Sequence, residues 1–224
     1  SKYNSRFYDK IFYKYYIEKR VVFKICGITN ITDAMYCVKS GVDILGFIFA
    51  ESKREISIES AKEILSQIGD SVLKVGVVVD KNIDGVVKLV KDGWLNAIQF
   101  HNDFTDEECM AFGVCYYKAV RVKDKNDIDN NWHSPMVLFD AFSTEAMGGT
   151  GKTIDKNILD YAKSKNINLA LAGGITPQNI DEILNLYNPM LVDISSGVEE
   201  YPGKKDFNKI DLIKRSVDNF KGRS

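Results

Sequence analysis

The stretch Ala146-Met147-Gly148-Gly149-Thr150-Gly151-Lys152-Thr153 sets three glycines within four positions. Backbone N–H groups stay uncovered there, so an oxyanion can approach them closely. The apolar run Met136-Val137-Leu138-Phe139-Asp140 precedes the loop, and a helical pattern opens at Asp155; helix N-termini favour anions. The loop is therefore a phosphate-site candidate. It ends in Gly-Lys-Thr as a nucleotide-binding P-loop does, but Ala146 occupies the first glycine position of that pattern. Further glycine- or serine-rich loops follow at Gly173-Gly174 and Ser195-Ser196-Gly197. Together they suggest a phosphate cup, with Gly149, Gly151, Gly173, Gly174, Ser195, Ser196 and Gly197 as its candidate donors.

Other side chains have the types needed for proton transfer. In Lys24-Ile25-Cys26-Gly27, strand alternation puts Lys24 and Cys26 on one side. An ammonium there would favour the thiolate and lower the thiol pKa from about 8.5. The alternative for Cys26 is a buried, inert cysteine, which is how Cys37, Cys109 and Cys115 read. Asp140 closes an apolar run, where a carboxyl held protonated can act as a general acid; a loop residue capping an amide is its other reading. Arg54 has the fork to hold a substrate carboxylate, or is a solvated surface charge. Gln99 and His101 end another run, suited either to contact substrate or to make a structural hydrogen bond.

Composition narrows the function classes. With 224 residues, 45% hydrophobic and 27% charged, the chain can bury a sizeable core. A net charge of −1 and pI ≈ 6.2 give no reason to expect a nucleic acid or membrane partner. Four scattered cysteines without a C-x-x-C pair, and two histidines, indicate neither a metal site nor a disulfide framework. The expectation is a cytoplasmic protein, monomer or homodimer, acting on a small phosphorylated molecule without a cofactor.

Positioning these residues requires a regular scaffold, and the chain supplies one. From residue 21 onward apolar runs at 21–26, 44–49, 74–79, 97–101, 116–122, 136–142, 169–172 and 190–194 alternate with amphipathic stretches. Their helical partners fall at 31–40, 58–68, 83–91, 106–112, weakly near 126, then 158–165, 177–187 and 207–220. Eight strand–helix units imply a single-domain α/β fold, a (β/α)8 TIM barrel over residues 21–224, with function at the strands' C-terminal ends. That fold also argues against an NTPase, whose P-loop belongs to an open sheet. Residues 1–20 differ: Phe7-Ile11-Tyr15 and Tyr8-Phe12-Tyr16 recur every four positions among lysines and arginines. They predict an amphipathic N-terminal helix packed against the barrel exterior and dispensable for chemistry; a membrane-surface helix or a partner-binding arm are the alternatives.

Taken in order, these motifs resemble the phosphoribosylanthranilate isomerase family. The match runs through Lys24-Ile25-Cys26-Gly27-Ile28-Thr29, Gly46-Phe47-Ile48-Phe49, Ser52-Lys53-Arg54-Glu55-Ile56-Ser57, Lys74-Val75-Gly76-Val77 and Gln99-Phe100-His101. It continues with Gly148-Gly149-Thr150-Gly151-Lys152, Ala172-Gly173-Gly174-Ile175, Val192-Asp193-Ile194-Ser195-Ser196-Gly197-Val198-Glu199 and Pro202-Gly203-Lys204-Lys205-Asp206. The resemblance implies an Amadori rearrangement of a phosphoribosyl aminoaldose to a 1-deoxyribulose, with no metal or cofactor. It makes Cys26 the base at sugar C2, Asp140 the acid at the ring oxygen, Arg54 the holder of the anthranilate carboxylate and the three C-terminal loops the phosphate site. Asn102 replaces the family's usual glycine, and Ile154-Asp155-Lys156 its usual aromatics. Residues 1–20 fall outside the resemblance. Two other readings remain in play: a histidine-pathway sugar isomerase, and a silent barrel that binds phosphorylated metabolites. The first calls for a second phosphate loop near strands two and three and for two carboxylates, whereas strand one here ends in Cys26.

Overall fold

Short apolar runs flanked by amphipathic segments bury both faces of each strand, and a sheet buried on both faces must be covered by helices. The computed structural model describes residues 5–101, 104–129, 133–140, 156–165 and 168–221. Eight parallel strands close into a barrel in sequence order, with β8 returning to β1. They are β1 (Val22–Cys26), β2 (Ile44–Ile48), β3 (Leu73–Val78), β4 (Ala97–Phe100), β5 (Tyr116–Arg121), β6 (Val137–Asp140), β7 (Leu169–Ala172) and β8 (Leu191–Ile194). Before β1 lies α1 (Ser5–Phe12), and the outer layer holds α2 (Ile31–Lys39), α3 (Ile58–Ile68), α4 (Asp84–Lys91) and α5 (Asp106–Ala111). It is completed by α6 (Lys156–Ser164), α7 (Ile180–Tyr187) and α8 (Phe207–Asn219). The weak helix near Asn126 is a single 3-10 turn, Lys125–Asp127. Ahead of α8, β9 (Glu199–Tyr201) and β10 (Lys204–Lys205) form a small hairpin. Pro177 lies in a turn ahead of α7 rather than in its first helical turn.

Alternation along each strand separates two cores. Phe23, Ile25, Leu45, Phe47, Ile98, Phe100, Val137, Phe139, Leu171 and Val192 join the layer under the helices. Val22, Cys26, Ile44, Val75, Ala97, Tyr117, Leu138, Ala170 and Leu191 fill the barrel interior. Lys24 therefore points inward with Cys26, as alternation predicts. Strand register sets Lys24 level with Asp193 of β8, and Cys26 level with Gly46 of β2.

The N-terminal segment differs from expectation in where it packs. Phe7, Tyr8 and Ile11 are buried and belong to the interior cluster, not to the layer under the helices. The segment thus lies across the N-terminal ends of the strands and closes the barrel's floor. Phe7 stacks on the Tyr117 ring at 5.9 Å and 7°, and the Tyr8 hydroxyl donates to the Tyr116 carbonyl. Lys14 pairs with Asp43 and Arg20 with Asp218, while Tyr16 donates to Asn168 Oδ1 at 2.7 Å. The physical reason is volume: interior positions such as Ala97 and Ala170 are too small to close the floor, and aromatic rings from outside the barrel complete it. Residues 13–17 continue as a π-helix, which breaks the four-residue repeat and leaves Tyr13, Tyr16 and Ile17 exposed.

Truncating Phe7 opens a cavity at the floor, where it stacks on Tyr117 and touches none of the pocket-lining loops. Phe7→Ala should cost about 3–5 kcal/mol of stability. Activity should stay within a few-fold at temperatures where the variant is folded. Denaturant unfolding with parallel kinetics checks both halves, and lost activity at full stability would contradict them.

Candidate active site

Chemistry-bearing side chains collect at the strands' C-terminal ends. One pocket is lined by Cys26 from β1, Arg54 after β2, Gln99 and His101 at the end of β4, and Asp140 from β6. The loops after β7 and β8 add Gly173, Gly174, Ser195, Ser196 and Gly197. Cys26 and Asp140 approach it from strands separated by β7 and β8, so they stand on different walls. Gly149 and Gly151, like Asn102 and Ile154, lie outside the described residues.

A buried polar network forms the pocket's base. Lys24 is fully buried, and its Nζ donates to Asp193 Oδ2 and to Gln99 Oε1, each at 2.7 Å. Tyr117 donates to the same Gln99 oxygen at 2.6 Å. With Oε1 claimed by two donors, the amide nitrogen of Gln99 must face His101 Nε2, 2.6 Å away. That nitrogen accepts, so the His101 proton resides on Nδ1. Burial opposes the Lys24 charge, but Asp193, with Cys26 and Tyr117, outweighs it and raises the ammonium pKa. Asp193 lines the pocket, and its Oδ1 is buried with no hydrogen-bond partner among the described residues.

Cys26 departs from expectation. Its pKa is raised, because burial outweighs the ammoniums of Lys24 and Lys205 and Asp193 adds to the rise. Lys24 lies close, as alternation requires, but its charge is spent on Asp193. Seating the thiol depends on Gly46: a Cβ there would stand 2.8 Å from Cys26 Sγ and 3.2 Å from Lys24 Cε. Cys37 and Cys109 sit on the buried faces of α2 and α5, and each thiol is pushed up to about 12, mainly by burial.

Arg54 is neither a solvated surface charge nor an unoccupied fork. Its Nε contacts both Glu199 oxygens at 3.0 and 2.9 Å, and Nη2 reaches Oε1 at 2.6 Å. Nη1 makes no hydrogen bond among the described residues, and Arg54 still lines the pocket. Glu199 in turn accepts from Lys205 Nζ at 3.2 Å. The ordinary rise from burial of Glu199 is overcome by Arg54 and Lys205, so its pKa is lowered. Gly197 joins the last two loops, since a Cβ there would fall 1.8 Å from the Ile175 carbonyl oxygen.

Sequence reasoning did not reach the roles of Asp193, Tyr117, Glu199 and Lys205. Asp193 was detectable as an acidic residue inside an apolar strand, on the inward phase. Glu199 and Lys205 entered only as members of the resembling motifs and not as site candidates, because charges in a hairpin ordinarily face solvent.

His101 supplies a pH test. Burial, then Lys24, Lys118 and Arg121, push its pKa from 6.5 down to about 4. An unfolded histidine titrates near 6.5, about its ordinary value. Between those values the unfolded chain binds the proton and the folded chain does not, so stability falls as pH drops through that window. His101→Gln should flatten this part of the Tm-against-pH curve in calorimetry. An equally steep fall in the variant would assign the loss to carboxylates instead.

The chain matches known proteins along most of its length. The family model described as N-(5'phosphoribosyl)anthranilate (PRA) isomerase matches residues 23–215. The Thermotoga maritima N-(5'-phosphoribosyl)anthranilate isomerase is 38% identical over 204 residues, covering 89% of this chain and 98% of that protein. A crystal structure of the enzyme from that organism superposes with a TM-score of 0.79 at 35% identity, covering 89% of this chain and 100% of the other. A phosphoribosyl anthranilate isomerase crystallised in complex with reduced 1-(o-carboxyphenylamino)-1-deoxyribulose 5-phosphate gives a TM-score of 0.76 at 32% identity, with the same coverage. With its barrel matched from the first strand into the last helix, the chain belongs to the N-(5'-phosphoribosyl)anthranilate isomerase family.

Proposed function

We propose that this chain converts N-(5-phosphoribosyl)anthranilate to 1-(2-carboxyphenylamino)-1-deoxyribulose 5-phosphate, with Cys26 as general base and Asp140 as general acid. Asp140 protonates the furanose oxygen as the C1–O bond breaks, leaving an iminium between C1 and the anthranilate nitrogen. The Cys26 thiolate then takes the C2 proton, and the resulting enolamine tautomerises to the ketose by taking a proton at C1 and losing one from the C2 hydroxyl. Arg54 holds the anthranilate carboxylate through Nη1, its other edge tied to Glu199. Gly173, Gly174, Ser195, Ser196 and Gly197, with Gly149 and Gly151, hold the phosphate by backbone and hydroxyl donors. Gln99 and His101 shape the wall against the sugar.

The supporting observation is the placement of a thiol and a carboxyl on different walls of one pocket whose rim is glycine- and serine-rich. Neither group can do the other's work: ring opening needs a proton donor at oxygen, and isomerisation needs a base at carbon. The base must first lose its own proton, so turnover should rise with pH.

Cys26→Ala and Asp140→Asn should each lower turnover by roughly 10²–10⁴-fold or more, as for a positioned proton-transfer group. Both should still bind the reduced product analogue within a few-fold of wild type in calorimetry. Near-normal turnover in either variant removes that residue from the mechanism. If the wild type binds the analogue but converts no substrate, followed by loss of anthranilate fluorescence, the barrel is a binder and not an enzyme.

Arg54→Ala should reduce kcat/KM by about 10- to 150-fold, the equivalent of losing a charge-assisted pair worth roughly 1.5–3 kcal/mol. The variant also deprives buried Glu199 of its fork, so kinetics are read below its measured unfolding transition. Unchanged kcat/KM would leave Arg54 a purely structural partner of Glu199.

A further inference from the structure

Lys205 lies in β10, outside the barrel strands and away from the pocket lining, yet its side chain is fully buried. Its ammonium carries three protons and meets three acceptors. These are the Cys26 carbonyl at 2.6 Å, the Ser195 carbonyl at 3.3 Å and Glu199 Oε2 at 3.2 Å. Its backbone N–H is held at 2.9 Å by Asp33 Oδ2, and Lys204 Nζ reaches Asp33 Oδ1 at 2.8 Å, so the hairpin cannot drift.

Those three acceptors are not equivalent surroundings. The first belongs to the strand end that carries the thiol, and the second to the loop after β8. The third is the carboxylate that grips Arg54. A buried ammonium is a costly joint: an apolar side chain of similar volume often serves stability as well or better. The joint also leaves charge behind. Arg54 and Lys205 share the single carboxylate of Glu199, whereas Lys24 and Asp193 neutralise each other. A positive surplus therefore sits beside Cys26.

We infer that Lys205 is a positioning residue, which holds the Cys26 strand end, the Ser195 loop and the Arg54 clamp at fixed spacing and keeps a positive charge beside the thiol. This rests on Cys26 being the base. The charged and titratable groups facing the thiol are Lys24 on its own strand, Tyr117 of β5, Asp193 of β8, Arg54 after β2 and Lys205 itself; Asp140 stands across the pocket. Of these, Lys205 is the cation outside the substrate's reach, so removing it changes geometry and field without deleting a substrate contact.

The test compares Lys205→Met, Lys205→Arg and Cys26→Ala in the full chain, each assayed below its own unfolding transition. Lys205→Met should lower kcat about 10- to 100-fold, the scale of a misplacement of roughly 1 Å. KM should rise several-fold as the phosphate loop and Arg54 relax, and the rise of turnover with pH should move to higher pH. Lys205→Arg should return the pH profile toward wild type but leave kcat reduced, because a planar fork cannot meet three converging acceptors in a closed cage. If Lys205→Met does not fold, Lys205→Arg alone decides by its kcat. Wild-type kcat and pH profile in whichever variant folds, with Cys26→Ala inactive, overturn the inference while leaving the base intact. Full turnover in Cys26→Ala instead removes the premise, a result readable independently of Lys205.

Discussion

Taking an ion out of water into a protein interior costs several kcal/mol unless it meets a partner and its remaining protons meet acceptors. Lys24 and Asp193 meet as partners in the middle of the barrel, at 2.7 Å and almost wholly buried, although Asp193 Oδ1 has no hydrogen-bond partner among the described residues. Their strand register makes them level neighbours. Gln99 takes another Lys24 proton and a Tyr117 proton, which fixes its amide and through it the His101 ring. Below this layer the interior is apolar and ordinary. Above it, the pocket's polar groups stand on a base that has few ways to rearrange.

A second ionic cluster at the rim has the opposite balance. Glu199 is shared by Arg54 and Lys205, so the rim keeps net positive charge where an anionic substrate would enter. The thiol lies between the two clusters and is held mainly by the desolvation around it. Of the two clusters, only the one at the rim carries a surplus of charge. Gly46 adds a steric condition, since no side chain fits between it and Cys26 Sγ.

The two ends of the barrel are specialised differently. At the floor, Phe7, Tyr8 and Ile11 fill volume that small interior residues leave open, which serves stability. At the mouth, volume is left unfilled and lined with polar groups. No helix among the described residues is long and apolar enough to cross a membrane, and the aromatic stripe of the N-terminal segment is largely spent on the barrel floor.

The eight-unit rhythm, the inward phase of Lys24 and Cys26, and the gathering of Cys26, Arg54, Gln99, His101, Asp140 and the last two loops at one end were legible from the chain alone. Period-two alternation and the strand-then-helix beat are local properties, and barrel closure converts them into position without further information. The destination of the N-terminal helix was not legible: a stripe records that a face must be buried, not which hollow receives it. Nor was the raised pKa of Cys26, because its burial and the approach of Asp193, far along the chain, arise only in the closed barrel. Arg54 pairs with Glu199, and Lys205 with the Cys26 carbonyl, across similarly long separations. Such pairings join residues remote in sequence, and they exist only once the closed sheet brings its first and last strands side by side.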